Sequence, residues 1–469
     1  MRLAKTTVAY FLAQVGKSLA GFVATLYIAR VLGPTPLGQY AVVLALSFWL
    51  ALPAGAISSA IKKRVSEGTD QAEYLWTGVA MSVTIAVLFA VVIVAFRPYV
   101  NDYIGTDVTL LLGVLIVSKS LFQTTSTGLH GLKMVAKGGY SQFIERLLRT
   151  GLQIFLIWLS FEVFGLVLGH ILSLAAATVV AVLWSTVGVS LPSVDHAKDL
   201  YSYAKYAWLS SLKGRAFSWI DTIVLALFVS SSLIGIYEVA WSLASMFALV
   251  SISIHQTLFP EFSDLETDGN FDQIHHYLNE GLVFIGVFAI PGLFGGTVIG
   301  SRVLEIYGSE FSKGSLVLVV LIAARLLAAY EQQFLSVINA IDRPDVAFRI
   351  NGLFVVANVS LNLGLVYLYS WIGAAVATLI SVVITTVAGY IALTKLIGRP
   401  DVPYPEIAQE IIAALVMVGA VILIEPTAPE SVAGTVALVL LGAGVYGTIL
   451  VAISFRIRQK TRSVVVSLV

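Results

Sequence analysis

Fourteen stretches of about twenty mostly apolar residues follow one another along this 469-residue chain, joined by short connections. A helix of about 20 residues covers the hydrocarbon of a bilayer. Only helices or closed barrels can cross it, because every backbone polar group must then be bonded internally. The stretches run approximately over 7–30, 37–61, 73–96, 108–130, 140–161, 164–189, 202–230, 232–258, 277–303, 314–340, 347–369, 371–395, 407–424 and 431–455. Only 12% of residues are charged, against about 25% in a typical soluble domain. The first stretch runs past position 28 with Gln14 and Lys17 in its middle, so it reads as a span rather than a secretory leader. The longest connection, about 259–276, is too short for a folded domain and carries Glu261, Asp264, Glu266, Asp268 and Asp272. The pattern predicts an all-α polytopic membrane protein with 14 transmembrane helices.

Loop charge sets its orientation. With the N-terminus inside, 16 Lys and Arg fall on the cytoplasmic side, four on the outer side and eight within spans. Both termini are then cytoplasmic, in a plasma (cytoplasmic) membrane. The absence of cysteine excludes disulfides and thiolate metal sites, and no basic domain stands apart to suggest a nucleic-acid partner. Gly16-Lys17-Ser18 imitates the end of a phosphate-binding loop, but position 11 is Phe11 and the segment lies inside a span. Neighbouring His275 and His276 diverge by about 100° on a helix, which argues against a metal site.

The chain also resembles itself at a spacing near 200 residues. Shifted by 197, Gly38-Gln39-Tyr40 falls on Gly235-Ile236-Tyr237. Shifted by 206, LGVLIVSKSL (112–121) falls on LVVLIAARLL (318–327), and Lys119 meets Arg325. Spans 1–6 therefore match spans 7–12. Each half has an even number of spans, so the halves share one orientation. The expectation is two six-helix bundles, 1–197 and 198–398, related by a pseudo-two-fold axis along the membrane normal, with a site between them. Residues 399–469 add two further spans and a basic cytoplasmic tail.

Eight cations lie inside spans: Lys17, Lys119, Arg146, Arg149, Lys205, Lys213, Arg215 and Arg325. Each costs roughly 2.5–3.5 kcal/mol at the bilayer centre, so eight in lipid would cost on the order of 20 kcal/mol. They are expected to face water, a partner or a ligand. Lys205 is expected to snorkel, and Arg146 to pair with Glu145 or Glu162. The embedded acids are Glu145, Asp221, Glu238, Glu280 and Glu331, which leaves the interior near +3. Polar stripes recur at helical spacing: Tyr10, Gln14, Lys17 and Gly21; Lys119, Gln123, Ser126 and His130; Arg325, Gln332, Ser336 and Asn339; Asn351, Asn358 and Asn362. A cavity that stays positive after internal pairing suits a phosphate or carboxylate. No nucleophile–base arrangement supports an enzyme.

At ARVLGPTPLGQYAV (29–42), and again at Trp371-Ile372-Gly373-Ala374-Ala375, the chain resembles the polysaccharide and O-antigen flippases of the multidrug/oligosaccharidyl-lipid/polysaccharide exporter superfamily. The resemblance covers the full length, including the 12 + 2 span count. It implies that a lipid-linked oligosaccharide, on a polyprenyl or dolichyl phosphate or diphosphate carrier, is flipped to the outer leaflet by rocking of the two bundles about a cationic cavity. Gln14, Lys17, Lys119, Arg149, Lys213, Arg215 and Arg325 are the expected substrate-binding residues, with Lys17, Lys213 and Arg215 carried over from the family's cavity positions. Asp221, Glu238 and Glu331 are candidates for a coupling ion of unspecified identity. No cofactor and no metal are expected. The expected partners are the glycolipid and the bilayer, and a monomer is favoured. The alternatives are a cation-coupled multidrug antiporter of the same superfamily, which would want acids facing the cavity from the first span, and a membrane-embedded glycosyltransferase or polymerase, which would want catalytic groups in sizeable outer loops.

Overall fold

A computed structural model describes residues 21–459, apart from the side chains of 208–211. Those residues form helices α1 (Gly21–Leu32), α2 (Pro34–Leu50), α3 (Leu52–Glu67), α4 (Gln71–Ala95), α5 (Arg97–Ile104), α6 (Thr109–Gly131), α7 (Val135–Trp158), α8 (Glu162–Trp184), α9 (Val194–Phe228), α10 (Ser231–Ser245), α11 (Ala248–Thr267), α12 (Phe271–Glu305), α13 (Ser315–Ala340), α14 (Pro344–Ile397), α15 (Tyr404–Ile424) and α16 (Val432–Ile453). No strand occurs among the described residues. Each expected span is helical over most of its described part, although 37–61 and 232–258 are interrupted by bends and the helix of 164–189 stops at Trp184. Eight helices among the described residues are long and apolar enough to cross a membrane, and two bent pairs bring the number to ten. The protein is thus a multi-pass helical membrane protein.

The breaks have local causes. Gly33 has φ 77°, a left-handed conformation that glycine adopts without strain, and Pro34 opens α2 with its fixed φ. α2 and α3 meet at a 50° bend, where Pro53 lies in the first turn of α3 and cannot donate back into α2. α10 and α11 are bent by 40°. α14 has 54 residues, on the order of 80 Å of continuous helix, far more than the roughly 30 Å hydrocarbon layer. It is broken at Ser370, where φ is 56°, between the two segments expected at 347–369 and 371–395.

The chain divides into two compact units, 1–235 and 236–469. In the first, α9 packs on α2, α3 and α4, with Ile57, Ile61, Leu75, Val79 and Leu200 in one buried cluster. The helix of the seventh span therefore belongs to the first compact unit, and the division between compact units falls within α10. The first turn of α10 rests on α2: a Cβ on Gly38 would strike the Ser231 carbonyl oxygen, and one on Gly235 the Pro34 carbonyl oxygen. Gly38 and Gly235 are the two glycines matched by the 197-residue shift, as are Pro34 and Ser231. In the second unit, Ile285, Ala289, Leu326, Ala413, Ala414, Met417 and Leu438 form the cluster that holds α12, α13, α15 and α16 together.

Candidate functional site

The polar interior of the first unit is built from α2, α6, α7, α8 and α9. On α7, Glu145 and Arg149 lie one turn apart on one face and pair at 3.2 Å, both largely buried. Arg149 Nη1 lies 3.1 Å from His170 Nε2 on α8. Arginine can only donate, so Nε2 accepts and the ring proton sits on Nδ1. That Nδ1 lies 3.2 Å from the Tyr40 hydroxyl, which also accepts from Gln153 Nε2 at 2.8 Å. Ser173 Oγ donates to Glu145 at 3.3 Å. The result is one buried chain across three helices, Gln153–Tyr40–His170–Arg149–Glu145–Ser173.

Two further cations are held mostly by neutral groups. Lys119 Nζ on α6 donates to Ser47 Oγ at 3.1 Å and sits 3.0 Å from the centre of the Phe48 ring. Phe48 stacks on Trp219 of α9 with ring centres 4.7 Å apart. Arg215, also on α9, donates to the Phe48 carbonyl oxygen. Its guanidinium and the Gln123 amide converge on Gly55, where a Cβ would lie 2.9 Å from Arg215 Nη2 and 3.2 Å from Gln123 Nε2. Lys119 is within electrostatic reach of Arg149 and Arg215, and Arg146 of Arg149. The first unit thus gathers Lys119, Arg146, Arg149 and Arg215 of the expected cations.

Arg146 does not make the expected pair with Glu145. The pair goes to Arg149, because Glu145 and Arg146 are adjacent and diverge around the helix; the Arg146 guanidinium instead packs against Gly21. Lys213 is half-buried on α9, two residues from Arg215 and therefore on a different face. Lys205 is exposed beside the Tyr206 ring, 4.9 Å from its centre, as a snorkelling side chain would be. Gln14 and Lys17 lie outside the described residues.

In the second unit Arg325 repeats the arrangement of Lys119. Its Nη2 donates to Ser245 Oγ at 2.5 Å, and its guanidinium carbon lies 4.0 Å from the Trp241 ring centre. Asn358 and Asn362 are fully buried and bonded at 3.1 Å and 3.0 Å to Thr378 Oγ1 and the Asn358 carbonyl oxygen. Of the candidate coupling acids, Asp221 lies in the first unit, and Glu238 and Glu331 in the second; Asp221 and Glu331 are buried. Glu280 is not free to line a cavity, because Arg456 binds it together with Glu406. A cavity of about 580 Å³ in the second unit is apolar, walled by Phe247, Phe288, Ile299, Met417 and Tyr446 among others.

Sequence reasoning missed His170, Gln153 and Tyr40 as one network. The available signal was a lone imidazole and a lone amide in two largely apolar runs, FGLVLGHILSL (164–174) and TGLQIFLIW (150–158). It also missed Glu410, a sixth embedded acid that lies just inside the thirteenth span.

The sequence model of the family described as "Polysaccharide biosynthesis protein" matches residues 27–316. Two proteins of Haloferax volcanii are similar along most of their length. "Probable flippase AglR" is 32% identical over 467 residues, covering 98% of each chain. "Probable low-salt glycan biosynthesis flippase Agl15" is 29% identical over 425 residues, covering 89% of each. Among solved structures, "Lipid II flippase MurJ, inward closed conformation" has the same fold, with a TM-score of 0.79 at 15% identity, covering 95% of this chain and 98% of that one. The chain therefore belongs to the polysaccharide biosynthesis protein family as a flippase-type membrane transporter rather than an enzyme.

Proposed function

We propose that this protein translocates a lipid-linked oligosaccharide, on a polyprenyl or dolichyl phosphate or diphosphate carrier, from the cytoplasmic to the outer leaflet by alternating access through a central cationic cavity. The glycan and lipid flippases to which the chain is similar support the cargo class. One observation in the first unit carries the cationic part of the reading: Lys119 and Arg215 are solvated by a hydroxyl, an aromatic ring and a backbone carbonyl, so their charge is held in place without being cancelled. An anionic head group entering such a site exchanges water for preplaced donors. The reading keeps 14 crossings with both termini cytoplasmic, repeat units 1–197 and 198–398, the appended 399–469, and Lys17, Lys213 and Arg325 as further contacts for phosphate or acidic sugar.

Reconstitution into liposomes tests it. The fraction of a lipid-linked oligosaccharide reached by an added glycosidase measures transfer between leaflets. Each charge-assisted hydrogen bond is worth about 1.5–3 kcal/mol, so Lys119→Met and Arg215→Met should each slow transfer by roughly tenfold or more, with normal expression and monodispersity. Alanine at both Lys17 and Lys213 should abolish it. Undiminished transfer in a Lys119→Met/Arg215→Met double variant would remove the cationic site from the mechanism, and no transfer by the wild type would remove the cargo.

A further inference from the structure

Glu410 lies on α15 in the second unit, 1% exposed, and neither of its carboxyl oxygens has a hydrogen-bond partner. Around it stand two more unpartnered groups, the hydroxyls of Tyr330 on α13 and Tyr446 on α16, both within electrostatic reach of the carboxyl. On α12 the facing position is Gly286. A Cβ there would collide with Glu410 Oε2 and come within 3.1 Å of the Tyr330 hydroxyl, so the absence of a side chain at Gly286 is what admits the carboxyl. The Gln333 amide, three residues from Tyr330 and fully buried, is also unpartnered at both ends. The surrounding packing is apolar: Ile285, Ala289, Ala413, Ala414 and Met417.

An ionised carboxylate with no donor and no counter-charge is the costliest occupant of such a place, whereas a neutral acid is tolerated. The nearby charges do not compensate it. On α15 itself, Glu406 is of the same sign and is bound by Arg456. On α12, Glu280 is bound by the same Arg456. On α13, Glu331 is adjacent to Tyr330 and so turns to another face. α16 offers only Tyr446, and α11, packed on α12 and α13, offers His255, which bonds Ser336. Arg456 reaches this end of α15, and its donors go to Glu280, Asn279 and Glu406; Arg399 bonds Tyr404.

We propose that Glu410 is a proton-binding site of the second unit, loaded as the neutral acid in this conformation, with the Tyr330 and Tyr446 hydroxyl oxygens as the acceptors available to its proton. A single carboxylate with two phenols does not make the six or more oxygens that a hard cation collects, and no group of three His, Cys, Asp or Glu forms a metal site among the described residues. The proton goes onto a carboxylate oxygen on loading and leaves to water when the packing of α12, α13, α15 and α16 opens. Tyr446, within electrostatic reach of the acid, also walls the apolar cavity of about 580 Å³.

The site itself does not depend on the cargo, but its use as a coupling group rests on the transport reading, so the two are tested separately. Dicyclohexylcarbodiimide modifies protonated carboxyls in apolar surroundings. Applied to the intact wild-type protein at neutral pH and mapped by mass spectrometry, it should modify Glu410 and spare Glu280 and Glu406, and sodium should make no difference. No adduct at Glu410, or an adduct that sodium suppresses, would overturn the proposal, the second outcome in favour of a cation. The infrared difference spectrum of wild type minus Glu410→Gln should show a carboxylic-acid carbonyl band that shifts in heavy water; its absence would also overturn it. Should Glu410→Gln fail to fold, the labelling of the wild type decides alone. For coupling, a pH gradient should change the rate of glycolipid transfer in the wild type and not in Glu410→Gln. An equal response in both would withdraw the coupling role and leave the labelled acid standing, whereas failure of transfer without any gradient would count against the cargo.

Discussion

The reciprocal contact of Gly38 with Ser231 and of Gly235 with Pro34 makes a quantitative prediction about one methyl group. At either glycine, an added Cβ would fall inside contact distance of a backbone carbonyl on the other helix. No rotamer relieves that, so α2 and α10 must move apart. Overpacking a close contact costs about 1–3 kcal/mol, and a clash with backbone belongs at the upper end. Against it stands a helix-propensity gain of about 1 kcal/mol for Gly→Ala. The net loss for Gly38→Ala or Gly235→Ala is therefore about 2 kcal/mol. Gly151 on α7 and Gly419 on α15 are helical glycines with nothing within 4 Å of the new atom. There the same substitution should gain about 0.5–1 kcal/mol. The four single variants, purified in one detergent, should separate in thermal unfolding into two pairs on opposite sides of the wild type. The double variant Gly38→Ala/Gly235→Ala should cost less than the two singles together, because the first methyl has already opened the gap that the second needs; neighbouring sites couple by about 0.5–3 kcal/mol. A Gly235→Ala protein as stable as Gly151→Ala would show that the helices are not held this closely.

Glu145→Gln should destabilise the first unit by about 3 kcal/mol, because breaking a buried pair leaves the Arg149 charge uncompensated. The double variant Glu145→Leu/Arg149→Leu should be the more stable of the two in thermal unfolding. Arg456→Ala leaves Glu280 and Glu406 without their shared counter-charge and should cost about 2–4 kcal/mol, with faster proteolysis at residues 454–459. In the segment after α4, the hydrogen bond from Arg97, and then that from Asn101, holds the Asp107 carboxyl below the ordinary carboxylate range. A lowered carboxyl pKa stabilises the fold above the unfolded value of about 4 and loses that contribution as pH falls through the folded value. Wild type and Asp107→Asn should therefore differ slightly in melting point at neutral pH and converge in acid. The difference stays small because the pair is exposed.

The helices were legible because a twenty-residue apolar run in a chain this poor in charge has few other fates, and the break at Ser370 fell between two runs whose joint length no bilayer could hold. Pro53 announces the bend between α2 and α3. The matching bend before Ala248 has no proline and no glycine, only Met246-Phe247, so nothing in the local sequence marks it. The short helix α5 lay inside what read as a loop, since its eight residues carry too little apolar surface to register as a span. At the site, the recurrence of a cation at Lys119 and Arg325 was visible as a repeat. What each cation rests on was not: Ser47 and Phe48 come from 72 and 71 positions before Lys119, and such pairings are set by packing rather than by spacing along one helix. Glu410 was passed over because a carboxylate near the start of a span usually reaches the interface. Here Gly286 opposite, and the tyrosines beside it, draw it inward instead.

Two groups of cations among the described residues contrast, and the difference bears on the proposed use of the interior. Arg64 is bound by Asp199 and Glu67, Arg302 by Glu425 and Arg456 by Glu280 and Glu406. These lie at helix ends or in connections, where a carboxylate cancels the charge and a guanidinium ties two segments together. Lys119 and Arg215, deep within their helices, meet a hydroxyl, a ring and a carbonyl instead. A chain that needed only polar glue at those depths would gain more from a facing acid, or from no charge at all, since an apolar replacement for a buried pair is often neutral or stabilising. Neutral ligands lower the cost of keeping a cation out of water without extinguishing its field. In the transport reading proposed above, that field is completed by something that comes and goes, an anionic head group passing between leaflets.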